Sequence, residues 1–153
     1  MILRRARRGD VPAIVALLRD DELGSGREAP EGEPLPDSYY AAFDAIDRDP
    51  SHELTVAELE GRVIGTFQLL FLAHLGSRGA LVAQIESVHV HSSARGKGLG
   101  TELMRRAISR ARERGCRRVQ LTSNKARKDA HRFYERLGFR ATHEGLKLPI
   151  DPL

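Results

Sequence analysis

Apolar residues recur along the chain with two periods, and each change of period marks an element. Residues 2–6 read as a short first strand. Val11, Ile14, Val15 and Leu18 then fall at helical spacing. Asp10 stands before them as a capping residue, and Pro12 lies near the first helical position, where a missing N–H costs least. Glu, Gly and Pro crowd residues 20–36, which predicts a loop. Asp37 can cap a second helix with Tyr39, Phe43 and Ile46 on one face. Residues 53–59 alternate, Glu60-Gly61 turns the chain, and 63–72 and 80–91 supply two more strands. Residues 98–114 carry a stripe of Leu99, Leu103, Ala107, Ile108 and Ala111 that stops at Gly115. A strand at 118–123 precedes a helix at 129–137, where Ala130, Phe133, Tyr134 and Leu137 share a face. Gly138-Phe139 closes that helix. The tail, 141–150, has room for a last strand. The order is mixed α/β in one domain, 1–153: an antiparallel meander, then strand–helix–strand–helix–strand.

Composition narrows the class. The chain has 153 residues, 41% hydrophobic and 30% charged, ordinary for one soluble domain. The longest apolar run, 67–75, is interrupted by Gln68 and His74 and is too short to span a bilayer. The N-terminus lacks the apolar core of a signal peptide, so a cytoplasmic location with no membrane partner is expected. One cysteine, Cys116, excludes a disulfide framework and a cysteine zinc site. It follows a helix-ending glycine, as a core thiol would.

Charge is unevenly placed. Residues 95–132 hold 13 bases and 3 acids, whereas 9–60 hold 3 bases and 14 acids. A basic region facing phosphates and an acidic region facing a cation would give this division, and so would solvated helix faces.

The segment Arg95-Gly96-Lys97-Gly98-Leu99-Gly100 lies between a strand and a helix start. Glycines there let backbone N–H groups converge, and the helix N-terminus adds positive potential, so the segment suits phosphate. A Walker loop would need Ser or Thr after Gly96-Lys97, where Gly98 stands. A Rossmann fingerprint counted from Gly96 would need glycine at Thr101.

What the loop does match is the Arg/Gln-x-x-Gly-x-Gly/Ala signature of the GNAT superfamily of N-acetyltransferases, which the chain resembles. Ile85-Glu86-Ser87-Val88-His89-Val90 resembles the family's fourth strand. Asn124, then Asp129-Ala130-His131-Arg132-Phe133-Tyr134 and Leu137-Gly138-Phe139, resemble its second motif, with a weaker likeness to the aminoalkylphosphonate acetyltransferase branch. The resemblance implies a mostly antiparallel twisted sheet whose strands four and five splay apart, flanked by about four helices. It implies acetyl-CoA as cosubstrate. The main chain from Gly96 to Thr101 would hold its pyrophosphate, with charge from Arg95 and Lys97. Val88, His89 and Val90 would pair with the pantetheine arm, Asn124 would hydrogen-bond it, and Phe133, within the motif opened by Asp129 and Ala130, would pack on it. Many members are homodimers.

The chemistry follows. An alkyl amine has a pKa of about 10 and must shed a proton before attacking a thioester. Glu86 is the expected base, through water, and its alternative is an outward strand carboxylate. The Val88 N–H is the expected oxyanion donor, and Tyr134 the acid for the leaving sulfur or else a core residue. Tyr39 and Tyr40 are core residues or line the acceptor pocket. His89 and His91 share a strand face, but no metal is expected. The acceptor is expected to be a small-molecule or peptide primary amine, drawn in by the acidic Asp20, Asp21, Glu22, Glu28, Glu31 and Glu33. Two other readings stand: a non-catalytic acetyl-CoA-binding domain, and a nucleic-acid binder using the arginine-rich helix. Few aromatics and a net charge of only +4 weigh against the latter.

Overall fold

Hydrogen bonding gathers five strands into one sheet in the order β1-β2-β3-β4-β5. Strands β1 (Ile2–Arg5), β2 (His52–Leu59), β3 (Arg62–Ala73) and β4 (Leu81–Val90) run antiparallel, each beside the next. β5 (Arg118–Leu121) joins β4 in parallel. A parallel step needs a crossover, and helix α3 (Leu99–Glu113) provides it. Helices α1 (Val11–Arg19) and α2 (Asp37–Arg48) lie between β1 and β2, and α4 (Lys128–Arg136) follows β5. The computed structural model describes residues 1–21 and 25–150, so Glu22 of the acidic loop lies outside the described residues.

The sheet is buried on both faces by the two alternating sets of its side chains. On one face Ala57, Phe67, Leu69, Ala83 and Ile85 meet Leu99, Leu103, Met104, Ala107 and Ala111 of α3. Burying each large member of that set contributes about 1.5–3 kcal/mol. On the other face Val56 packs with Val11, Ile14 and Val15 of α1 and Phe43 of α2. The approach of α3 is close at one residue: a Cβ on Gly65 would sit 3.1 Å from Leu103 Cδ1 and 3.3 Å from the His89 carbonyl oxygen, so any side chain there must displace its neighbours by a few tenths of an ångström.

Two clusters of ion pairs, centred on Arg4 and on Glu53, tie helices to strands. Arg4 on β1 donates to both carboxylate oxygens of Asp10, at 2.7 and 2.9 Å, and to Glu58. Asp10 also accepts from the Arg7 N–H, so it anchors the entry to α1 without capping it by its side chain. On the α3 face, Glu53 is buried and accepts three bonds from Arg110 and one from Arg114. Arg114 also lies 4.1 Å over the Phe71 ring. Arg110 and Arg114, at the end of α3, are thus committed to contacts within the fold. Cys116 is half-buried against the α3 core, and burial pushes its thiol pKa up.

One element departs from the pattern. The strand expected over 141–150 does not form. Gly145 passes beside Thr122, and Lys125 pairs with Glu144 at 3.0 Å, but the tail joins no sheet. Leu146, Leu148 and Ile150 are 93%, 89% and 90% exposed. Their alternation is real, but alternation makes a strand only where a partner offers a ladder. β5 is just four residues long, and Pro149 has no N–H to give.

Candidate active site

The site is built on β4. Gln68 of β3 pairs with Glu86, and Thr66 pairs with His89, so Ser87 and Val88 together oppose Phe67. This is a β-bulge, and Ser87 takes the left-handed conformation at its centre (φ 52°). The extra residue changes the alternation. Glu86 and His89, three apart, would face opposite ways on a regular strand. The bulge brings them to the same face, beside Gln68 and Thr66. Val88 and Val90 turn to the other face, against the α3 core.

Strand β4 also parts from β5. Their pairing runs from Val82↔Arg118 to Ile85↔Leu121 and stops, while β4 continues to Val90. The splay lies where the resemblance put it, and it leaves the β5-facing edge of 86–90 without a strand partner.

The glycine loop stands at the end of that open edge. Gly96 (φ 74°) and Gly98 (φ 82°) are left-handed, and a Cβ on either would meet nothing within 4 Å. Open space therefore lies over them. Gly98 precedes the first turn of α3, whose first internal bond is Glu102 N–H to the Gly98 carbonyl at 3.1 Å. The N–H groups of Leu99, Gly100 and Thr101 thus have no helical acceptor, as at any helix start. At Gly100 a Cβ would lie in ordinary contact, 3.4 Å from Phe133 Cζ and 4.0 Å from Val90 Cγ2, so α4 packs directly on the loop here.

The two basic side chains of the loop are engaged within the protein. Lys97 Nζ donates to the Ser93 carbonyl at 3.0 Å. Arg95 Nε donates to the Val90 carbonyl at 3.0 Å, and its guanidinium reaches Asp20. Asp20 also accepts from the Ser92 N–H at 2.8 Å, and Asp21 pairs with Arg127. The front of the acidic loop is therefore a brace between α1, the glycine loop and α4. Glu28 accepts from the Tyr39 hydroxyl at 2.8 Å. The pattern of charges gave no sign of these ties, whose partners lie far apart in sequence.

On α4, Tyr134 is half-buried, edge-on to Phe133 and Phe139 with ring centroids 5.2 and 6.0 Å away. Burial pushes its phenol pKa up, partly opposed by Arg127. No buried side-chain oxygen among the described residues lacks a hydrogen-bond partner, and the Tyr134 hydroxyl has none among those residues, so it reaches accessible space. Asn124 spends its side-chain oxygen on the Ala126 N–H, and its carbonyl accepts from the Arg127 N–H and the His131 ring. This turn starts α4. Asp129 is exposed and pairs with Arg132, and Ala130 is half-buried. Burial is the main cause holding the His89 pKa below the ordinary histidine value; Arg127 and Arg95 add to it and Asp21 opposes. The ring is therefore neutral at neutral pH.

Glu86 Oε1 accepts from Gln84 Nε2 at 2.9 Å. Gln84 and its β5 neighbour Gln120 belong to the same face, and nothing in the pattern of the sequence brought them forward. The only available signal was the two-residue spacing of Gln84 and Glu86.

An open strand edge ending at a cradle of glycine amides is what an acyl-CoA-dependent N-acyltransferase requires, and the chain is an enzyme of that class. It belongs to the acetyltransferase (GNAT) family, whose profile matches residues 13–139. It is 30% identical over 138 residues to an uncharacterised N-acetyltransferase of Escherichia coli K12, YjgM, covering 90% of this chain and 81% of that one. It is 31% identical over 106 residues to the aminoalkylphosphonate N-acetyltransferase of Salmonella typhimurium, covering 69% and 68%. Among solved structures, a protein of Bacillus halodurans C-125 described as a transcriptional regulator shares 48% identity and superposes with a TM-score of 0.93, covering 97% and 99%. Among the described residues, no helix is long and apolar enough to cross a membrane.

Proposed function

We propose that the chain moves an acetyl group from acetyl-CoA to a primary amine of a small molecule, by direct attack in a ternary complex. The observation that carries this reading is the β4 bulge. It turns Glu86 and His89 to one face at the point where β4 leaves β5, beside an open glycine cradle.

Acetyl-CoA supplies the thioester. The amides of 96–101 hold its pyrophosphate, the edge of 88–90 that has no strand partner pairs with its pantetheine arm, and Phe133 and Asn124 flank the arm. Glu86 takes the proton that the ammonium group must lose, through a water. The amine nitrogen then forms a bond to the carbonyl carbon while the Val88 N–H donates to the developing oxyanion. As the C–S bond breaks, its electron pair stays on sulfur and Tyr134 donates the proton. The nitrogen gives up its second proton to solvent as the amide forms, and solvent returns a proton to the phenolate. The raised pKa of Tyr134 suits this role, because it keeps the proton available throughout the neutral range.

The aminoalkylphosphonate relative acts on a small amine bearing an anionic group, so compounds of that kind head the panel of acceptors. Release of CoA thiol on mixing acetyl-CoA with one of these amines, with the acetylated product seen by mass spectrometry, is the expected result. Tight acetyl-CoA binding with no turnover on any amine would return the chain to a non-catalytic binding role. A second reading, nucleic-acid binding, draws on the relative described as a transcriptional regulator. Against it, Arg110 and Arg114 are committed to Glu53, and Arg127 to Asp21. A salt-sensitive DNA mobility shift would favour it.

A further inference from the structure

Four side chains on the face of Glu86 form a chain of hydrogen bonds across β5 and β4. The pairs Val82↔Arg118 and Gln84↔Gln120 set the register. Residues two apart on each strand then share a face, so Arg118, Gln120, Gln84 and Glu86 stand in a row. Arg118 Nε donates to Gln120 Oε1 at 3.2 Å, Gln120 Nε2 donates to Gln84 Oε1 at 2.8 Å, and Gln84 Nε2 donates to Glu86 Oε1 at 2.9 Å.

Chemistry allows this row only one direction. A guanidinium has no acceptor and a carboxylate has no donor, so each carboxamide between them must present oxygen toward Arg118 and nitrogen toward Glu86. The two end contacts are charge-assisted, and every aligned dipole strengthens the next. Reversing either amide would break the contact on both sides of it.

We infer that Gln84 and Gln120, aligned by Arg118, are positioning residues for the Glu86 carboxylate. The row occupies Oε1 and fixes the plane of the carboxylate, and Oε2 is left without a hydrogen bond among the described residues. One oxygen is thereby presented to the amine or its water. The row also stands beside the last paired residues, Ile85 and Leu121, so it ties the two strands immediately before they part. This inference rests on the reading of Glu86 as the base.

The alternative is that the amides only fasten β4 to β5. Gln120→Glu separates the two roles, because it keeps size and hydrogen bonding but supplies only acceptors. Gln84 must then turn its Nε2 toward residue 120 and its oxygen toward Glu86. The test measures CoA release with 2-aminoethylphosphonate as first acceptor, and in parallel the basal hydrolysis of acetyl-CoA by water. Gln120→Glu and Gln120→Leu are expected to lower kcat about 10- to 100-fold, the scale of a misplaced reacting group, with the KM for acetyl-CoA unchanged. In a Glu86→Gln background, Gln120→Glu should cost less than about threefold more, because the two residues act as a unit. A thermal melt by circular dichroism checks that each variant is folded. Should the Gln120 variants unfold, the through-bond coupling from the Gln84 side-chain nitrogen to the Glu86 carboxyl carbon in the unmodified protein decides the matter: its presence supports the row, and its absence overturns it. A wild-type rate in Gln120→Glu beside a slow Glu86→Gln overturns the positioning role alone. So does additivity of the two substitutions. A wild-type rate in Glu86→Gln removes the base, and the inference with it.

Discussion

Arg95 holds Asp20 at both ends, 2.8 Å from its carbonyl oxygen and 3.1 Å from its carboxylate. The pair joins the end of α1 to the glycine loop, the part of the fold proposed to face the cofactor. Its side chains are 53% and 32% exposed, so it contributes only about 0–1 kcal/mol to stability. Position matters more here than energy. Asp20→Ala is expected to leave the melting temperature within about 4 °C of wild type. It should raise the KM for acetyl-CoA as well as for the amine, since Arg95 also carries the Val90 carbonyl. Steady-state kinetics with each substrate varied in turn measures both. A rise confined to the amine would mean that Asp20 serves the acceptor alone.

Tyr134→Phe removes a hydroxyl and leaves both ring contacts, so α4 should stay packed. Turnover is expected to fall about 100-fold, the lower end of the range for a lost general acid, with acetyl-CoA affinity unchanged. Because burial raises the phenol pKa above its ordinary value of about 10, Tyr134 should cause no alkaline loss of rate below that pH. Wild-type turnover in the variant would leave Tyr134 as a packing residue.

Local signals make much of this legible in the sequence. The glycine loop and α4 are contiguous stretches whose residue types carry their own backbone preferences, and both lie where the pattern put them. The bulge was hidden, because Glu86-Ser87-Val88 contains no glycine to announce a left-handed residue and the strain at Ser87 is imposed by pairing with β3. The Asp20–Arg95 brace spans 75 positions, and no local pattern encodes such a distance. The tail erred the other way: Leu146, Leu148 and Ile150 alternate as a strand should, but pairing depends on a partner that alternation does not specify.

Gly98→Asp tests the cradle. A side chain at φ 82° is strained, and its carboxylate would stand at the start of α3 where the pyrophosphate is proposed to sit. Acetyl-CoA should bind to the native protein with micromolar affinity, about −8 kcal/mol, and weaken beyond detection by isothermal titration in the variant. No atom stands within 4 Å of a Cβ at Gly98, so the cost to the fold should be the backbone strain alone, about 1–2 kcal/mol, which a melt would measure. Equal affinity in the two proteins would place the pyrophosphate elsewhere.

Glu53 offers the clearest link between charge and stability. Its carboxylate is 9% exposed, while Arg110 and Arg114 are 31% and 32% exposed, so the arginines keep part of their hydration when the partner is lost. Glu53→Gln should therefore destabilise by about 2–4 kcal/mol, toward the lower end for a broken buried pair. That corresponds to a melting temperature lower by about 6–12 °C for a chain of this size. The sign with pH follows from linkage. Hydrogen bonds from Arg110 are the main cause holding the Glu53 pKa below its ordinary value, with burial opposing. A depressed carboxylate contributes stability that is present above the unfolded-state pKa of about 4.3 and is lost as pH falls through the folded value. The gap between wild type and Glu53→Gln should thus hold steady from about pH 6 to 8 and close progressively below about pH 4.5. Thermal melts of both proteins across that range measure it. A gap that stayed constant into acid would mean that Glu53 acts through packing, and that its ionised pair with Arg110 does not anchor α3 to β2.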